Sequence, residues 1–294
     1  MGALGVHQEQ GWQSRSFTPV FRLTFSQQIL EEFQRWSRLQ HQNVLPLLGI
    51  TTDYEQTVSL VTNWVDKGNS HDYVQDQTVD PRPLLVGIAR GLQYLHNQPT
   101  IHGDVKGFNV LISDQGHPLL TDYGLSSLVN VSFSQTVSYS NSNTLRWMAP
   151  ETMKSENQEM TVKGDVWAFG MIALELFTRQ VPFPDKQGLH EVNKRVQEGP
   201  PDRPDNDSTI SRMTDEWWSI CLLCWQDQEH RPDMSGVISE IEQIGQRPPE
   251  KKDATVDNGK TQERQPAPGD AAKHPQSGCF SPILTRLARI FRSR

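Results

Sequence analysis

Apolar positions recur along this chain at two spacings. Over residues 26–39 they fall at helical intervals, with Ile29, Leu30, Phe33 and Trp36 on one face and Ser26 in place to cap the start. Around that helix the pattern is that of strands, over 19–25 before it and over 45–52 and 57–62 after it. From about Pro81 the helical period takes over. Segments 83–96, 162–178, 188–198, 214–224 and 233–244 each have helical length, and clusters of Gly, Pro and Asp separate them. A small mixed segment followed by a larger helical one is a two-lobed α+β arrangement. The small lobe is assigned to residues 1–65, the large one to 66–245, and a tail to 246–294. Pro, Gly, Lys, Gln, Asp and Glu dominate that tail, which buries too little apolar surface to fold alone and is expected to be disordered. Its end differs: Ile283, Leu284, Leu287, Ile290 and Phe291 are interleaved with Arg286, Arg289, Arg292 and Arg294, a short basic amphipathic pattern.

Composition narrows the class. The 294 residues are 35% hydrophobic and 21% charged, which suits a globular protein of one or two domains with a polar extension. The longest apolar run, Val166 to Phe177, is too short to span a bilayer and contains Glu175, so it reads as a buried helix. The N-terminus lacks the charged-then-apolar pattern of a secretory leader. Met1-Gly2 is followed by Val6, where N-myristoylation wants Ser or Thr. Of three cysteines, Cys221 and Cys224 form a C-x-x-C inside an apolar helical run, with no second Cys or His pair at zinc spacing. Buried thiols in a reducing, cytoplasmic compartment are expected. The net charge of −7 sits on an acidic body, which argues against a nucleic-acid partner. Cys279 precedes the basic end and, if acylated, would add a second membrane signal; a solvated, unstructured end is the preferred reading.

The residues that carry chemistry form an ordered series. Ile101-His102-Gly103-Asp104-Val105-Lys106-Gly107-Phe108-Asn109 is followed by Thr121-Asp122-Tyr123-Gly124 and then by Ala149-Pro150-Glu151. Asp and Asn also favour turns, but three such residues in register with Ala-Pro-Glu exceed what turn chemistry explains. The series resembles the eukaryotic protein kinases, whose pattern is His-Arg-Asp with an Asn five after the Asp, then Asp-Phe-Gly, then Ala-Pro-Glu. With Thr144-Leu145-Arg146-Trp147-Met148 and Gly170-Met171-Ile172-Ala173-Leu174-Glu175, the chain is most similar to tyrosine-kinase-like serine/threonine kinases of the mushroom-type fungal kind. The resemblance covers about residues 17–245 and implies ATP and Mg²⁺ as cofactors and a protein substrate.

It also implies roles. Asp104 would orient the attacking hydroxyl, Lys106 would place an ammonium near the γ-phosphate, and Asn109 and Asp122 would hold Mg²⁺ with hard oxygens. Asp165 would accept backbone N–H bonds from the catalytic loop, and the Arg of His230-Arg231-Pro232 would pair with Glu151. In the small lobe the match thins. His41-Gln42-Asn43-Val44-Leu45-Pro46 is similar to the segment after the family's small-lobe helix, and counting back puts Glu32 at the helix glutamate. Pro19-Val20-Phe21-Arg22 then sets Arg22 at the strand lysine and Val20 over the adenine. Thr62 would guard the back pocket, Asn63 to Val65 would be the hinge, and Leu111 the floor under the ring.

The departures have physical consequences. Gly103 replaces the Arg that usually gathers an activation-loop phosphate, and Tyr123 replaces Phe with its packing role kept. Arg22 for Lys is a larger change, because a planar guanidinium does not substitute freely for a compact ammonium. No glycine-rich loop is recognisable: Gly2 and Gly5 match only its end, so a shortened small lobe is expected. Loop 126–143, rich in Ser and holding Tyr139, is equally well a phosphorylated segment or a plain polar one. The expected function is ATP-dependent phosphoryl transfer to Ser or Thr; the alternative is a pseudokinase or truncated kinase acting as a binding module.

Overall fold

The computed structural model describes residues 12–16, 33–51, 59–124, 144–155 and 159–246. All of them belong to one compact unit, Met1–Pro248. The expected strand at 19–25, the first half of the helix at 26–39, the polar loop 126–143 and nearly all of the tail lie outside the described residues.

The small lobe has a three-stranded antiparallel sheet in the order β1-β3-β2, built from β1 (Trp12–Ser16), β2 (Leu47–Thr51) and β3 (Ser59–Asn63). β2 and β3 match the strands expected there within two residues. β1 was not expected: its residues Trp, Gln, Ser, Arg and Ser show no apolar alternation, and it is a strand because it pairs with β3, Gln13 opposite Thr62 and Arg15 opposite Leu60. Of the expected helix, residues 33–36 are helical and end in a turn, with Ser37 N–H donating to Phe33 O at 3.0 Å. Phe33 and Trp36 face inward and meet edge to face at 5.3 Å.

Backbone hydrogen bonds tie the segment before β2 to the large lobe. Leu45 N donates to Leu120 O at 2.8 Å, and Leu120 N to Asn43 O at 2.9 Å. The large lobe begins with the short α1 (Ser70–Tyr73), capped by Asn69, whose side chain accepts from Asp72 N at 2.9 Å. Next comes α2 (Pro81–Asn97), started by an Asp80 cap and a Pro at its first position. Its Leu84, Leu85, Ile88, Leu92 and Leu95 recur at helical spacing and are all buried. Two short strands, β4 (Val110–Ile112) and β5 (Pro118–Leu120), form a hairpin under the cleft.

The core is organised around α4 (Val162–Thr178), which follows the short α3 (Pro150–Lys154). Every residue from Asp165 to Phe177 is buried, so α4 is enclosed on all sides rather than amphipathic. Thr161 caps it, accepting from Gly164 N at 2.9 Å, and Arg179 in the left-handed region ends it. Helices α5 (Leu189–Gln197), α6 (Asp215–Cys224) and α7 (Met234–Gln246) complete the lobe. Cys221 and Cys224 are free and buried, and burial pushes the Cys221 thiol up to about 12. No helix among the described residues is long and apolar enough to cross a membrane. The fold is the two-lobed α+β arrangement, a small sheet-bearing lobe on a large helical one.

Candidate active site

Backbone hydrogen bonds to α4 fix the loop that carries the chemistry. Asp165, 2% exposed, accepts from His102 N and Gly103 N, both at 2.8 Å, and from the ring of His96 at 2.9 Å. A buried carboxylate is tolerable when donors fill its lone pairs, and here the donors are the loop itself. Gly103 takes φ +76, a left-handed conformation that glycine adopts without cost. His102 is fully buried, and loss of hydration drives its pKa down against the pull of Asp165, Asp104 and Asp122. The ring is therefore neutral, and its Nδ1 accepts from Asp104 N at 3.3 Å.

Three side chains converge directly after this anchor. Lys106 Nζ lies 2.8 Å from Asp104 Oδ2 and 3.1 Å from Thr144 Oγ1. Asn109 Nδ2 donates to the same Asp104 Oδ2 at 2.8 Å and to Asp104 O at 2.9 Å. One short helical turn, Gly107–Asn109, brings Asn109 back onto Asp104. Asp104 is thus held by two donors, with a quarter of its side chain open to the cleft.

Asp122 takes φ +61, a backbone conformation that Asp tolerates better than most residues. A single cavity wall holds Leu47, Leu60, Thr62, Thr121, Asp122 and Tyr123, so the end of β3 and the Asp122 turn face one space. Tyr123 does more than pack. Its ring meets Trp36 edge to face at 6.1 Å, and its hydroxyl donates to Leu45 O at 3.1 Å. Gly124 follows at φ +73, where a Cβ would come within 2.7 Å of the Trp36 ring.

Glu151 and Arg231 meet as expected, Nη1 to Oε1 at 2.6 Å and Nη2 to Oε2 at 3.3 Å. Arg231 is almost fully buried and also donates to Lys163 O and Gln226 O. Arg146 anchors the loop after Thr144 by donating to Pro182 O at 2.9 Å and Lys186 O at 2.7 Å.

A profile of the family described as protein tyrosine and serine/threonine kinase matches residues 22–241. The chain belongs to that family. The kinase domain is 30% identical over 250 residues to a leucine-rich repeat receptor-like serine/threonine-protein kinase of Arabidopsis thaliana, across 76% of this chain and 26% of that protein. It is 27% identical over 225 residues to receptor-interacting serine/threonine-protein kinase 1 of Homo sapiens, across 71% of this chain and 33% of that one. Mitogen-activated protein kinase kinase kinase 5 of Arabidopsis thaliana is 29% identical over 222 residues, across 72% of this chain and 30% of that one. The chain spans about a quarter to a third of the length of these relatives. Membership in the family implies ATP as phosphoryl donor with a divalent metal, and protein as acceptor.

The residues of the kinase domain fit that requirement. Asn109 spends its amide N–H groups on Asp104, which leaves its carbonyl oxygen for a cation. Among the described residues no cluster of three His, Cys, Asp or Glu could hold a metal by itself. Val20, Arg22 and Glu32 lie outside the described residues. Sequence reasoning missed β1, which pairs with β3, Gln13 opposite Thr62. No periodic signal marked it; pairing with β3 alone reveals it.

Proposed function

We propose that this kinase domain transfers the γ-phosphate of ATP to Ser or Thr hydroxyls of protein substrates. The observation that carries the reading is the Lys106 ammonium shared between Asp104 and Thr144. A carboxylate for the hydroxyl proton and a cation for the phosphoryl charge then sit side by side, and phosphoryl transfer asks for little more than such positioning. Asp104 accepts or orients the proton of the attacking hydroxyl. Lys106 neutralises charge beside it. Asn109 and Asp122 would hold Mg²⁺, which supplies electrostatic stabilisation of the phosphate oxygens.

The nucleotide half of the site follows the same reading. Backbone groups of Asn63, Trp64 and Val65 would bond the adenine, Thr62 would close the back of the pocket, and Leu111, buried on β4, would floor it. Val20 would roof the ring and Glu32 would pair with the cation on the α- and β-phosphates. That cation would be Arg22, as sequence spacing suggests. The proposed domains are a small lobe, 1–65, and a large lobe, 66–245, followed by a polar tail, 246–294, with no membrane role for its basic end. The free, buried thiols suit a reducing compartment, and the cytoplasm is the setting we propose, with no nucleic-acid partner.

Thermal unfolding with ATP tests the metal site. A ligand stabilises only by binding the folded state. ATP is expected to raise the melting temperature more with Mg²⁺ than without it, and Asp122→Ala to remove the Mg²⁺-dependent part. A melting temperature indifferent to ATP and Mg²⁺ would dismiss the reading.

A further inference from the structure

Glu175 lies near the C-terminal end of α4 and has no exposed surface. Its two oxygens meet three groups. Gly107 N donates to Oε2 at 2.9 Å and Trp147 Nε1 donates to Oε2 at 2.8 Å. His71 Nδ1 lies 2.7 Å from Oε1 and, facing an acceptor, carries the proton. The three come from separate segments: α1 after the hinge, the Asp104–Asn109 loop, and the loop that begins at Thr144.

The two loops it grips are those whose side chains meet over Asp104. Gly107 directly follows Lys106, and Trp147 stands three residues after Thr144. The contact between Lys106 and Thr144 therefore depends on two segments that one carboxylate holds in place. The fit is close: a Cβ on Gly107 would sit 2.5 Å from Glu175 Oε1. Helix α1 holds the same residue through its carbonyl, because Ser70 Oγ donates to Gly107 O at 2.9 Å. The His71 ring also stacks on Phe108 at 4.4 Å.

We propose that His71 is a positioning residue for phosphoryl transfer: it locks the Glu175 carboxylate, which keeps the Lys106 and Thr144 segments in register over Asp104. Its kinetic consequence rests on the kinase reading above; its structural consequence does not. The charged groups acting on His71 are Glu175 from α4 and Asp72 from its own helix, while Gly107 and Phe108 of the catalytic loop bring none. The hydrogen bond to Glu175 raises the His71 pKa, burial opposes it, and the charges of Glu175 and Asp72 add to the rise. The lock is complete below the ordinary His pKa of about 6.5 and weakens as pH rises through the higher folded-state value.

The test follows the Trp147 indole N–H signal of the ¹⁵N-labelled full chain by NMR from about pH 5.5 to about pH 9, the range in which His titrates. Trp147→Phe identifies the signal. It is expected to shift with one midpoint above about 6.5, and the shift is expected to vanish in His71→Gln, which keeps a neutral donor, and in Glu175→Gln. A wild-type signal that does not move with pH overturns the proposal, whether or not either variant folds. So does an equal shift in His71→Gln. Peptide phosphorylation supplies the kinetic arm: at pH near 6.5, His71→Gln is expected to lower kcat about fivefold with the KM for ATP within about twofold, and to match wild type near pH 9. Equal kcat at both pH values overturns the positioning role. A Trp147 signal that titrates with His71 in a chain that transfers no phosphate would leave the lock standing and remove the kinase reading alone.

Discussion

Thr144 Oγ1 accepts a hydrogen bond from Lys106 Nζ at 3.1 Å, and this contact ties the substrate side of the cleft to the catalytic loop. Thr144→Ala removes the acceptor and lets the ammonium swing on its flexible stem. Transfer to a serine peptide is expected to fall about tenfold, with Thr144→Ser close to wild type and the KM for ATP unchanged. Steady-state kinetics with varied peptide and varied ATP would check it; a Thr144→Ala enzyme with unchanged kcat would separate Thr144 from the reaction.

Arg231 and Glu151 close the large lobe across 80 residues of chain. The Arg side chain is 1% exposed and that of Glu151 is 24% exposed. Arg231→Ala leaves the carboxylate and the Lys163 and Gln226 carbonyls without their donor, a loss expected to cost about 3 kcal/mol. Urea unfolding of the two proteins measures it, and a change under about 1 kcal/mol would show that the pair contributes no more than a surface bridge.

Arg22, set by sequence spacing at the strand lysine, is the cation proposed for the nucleotide phosphates. Arg22→Ala is expected to raise the KM for ATP at least about tenfold, because a lost phosphate contact weakens ground-state binding. Steady-state kinetics with varied ATP checks it, and a KM within about twofold of wild type would remove Arg22 from the phosphates.

How much of this was legible in the sequence depends on the kind of signal. Helix α4 was readable at both ends, because its apolar run is continuous and Thr161 caps it. The pairing of Arg231 with Glu151 was readable from the family's pattern, although nothing local connects the two residues. Strand β1 was not readable, since Gln13, Ser14 and Arg15 carry no strand alternation and only β3 makes them a strand. Helix α1 has four residues, too few to show a period. Glu175 appeared in the sequence as a break in an apolar run and as the last residue of a family-like motif, with no partner indicated. A carboxylate inside a fully buried helix needs donors, and that requirement was the available signal for its three partners. Tyr123 read as a packing substitute for Phe, whereas its hydroxyl adds a bond to Leu45 O that no spacing foretells.

Phosphoryl transfer centred on Asp104 is checked by a single-turnover assay. Radiolabelled ATP, Mg²⁺ and a mixture of Ser-, Thr- and Tyr-containing peptides are incubated with the wild-type chain and with Asp104→Asn, whose amide cannot accept the hydroxyl proton. Label is expected on Ser and Thr peptides with the wild-type chain, and at least about a hundredfold less with Asp104→Asn. Label that is equal in the two proteins, or confined to Tyr, would contradict it.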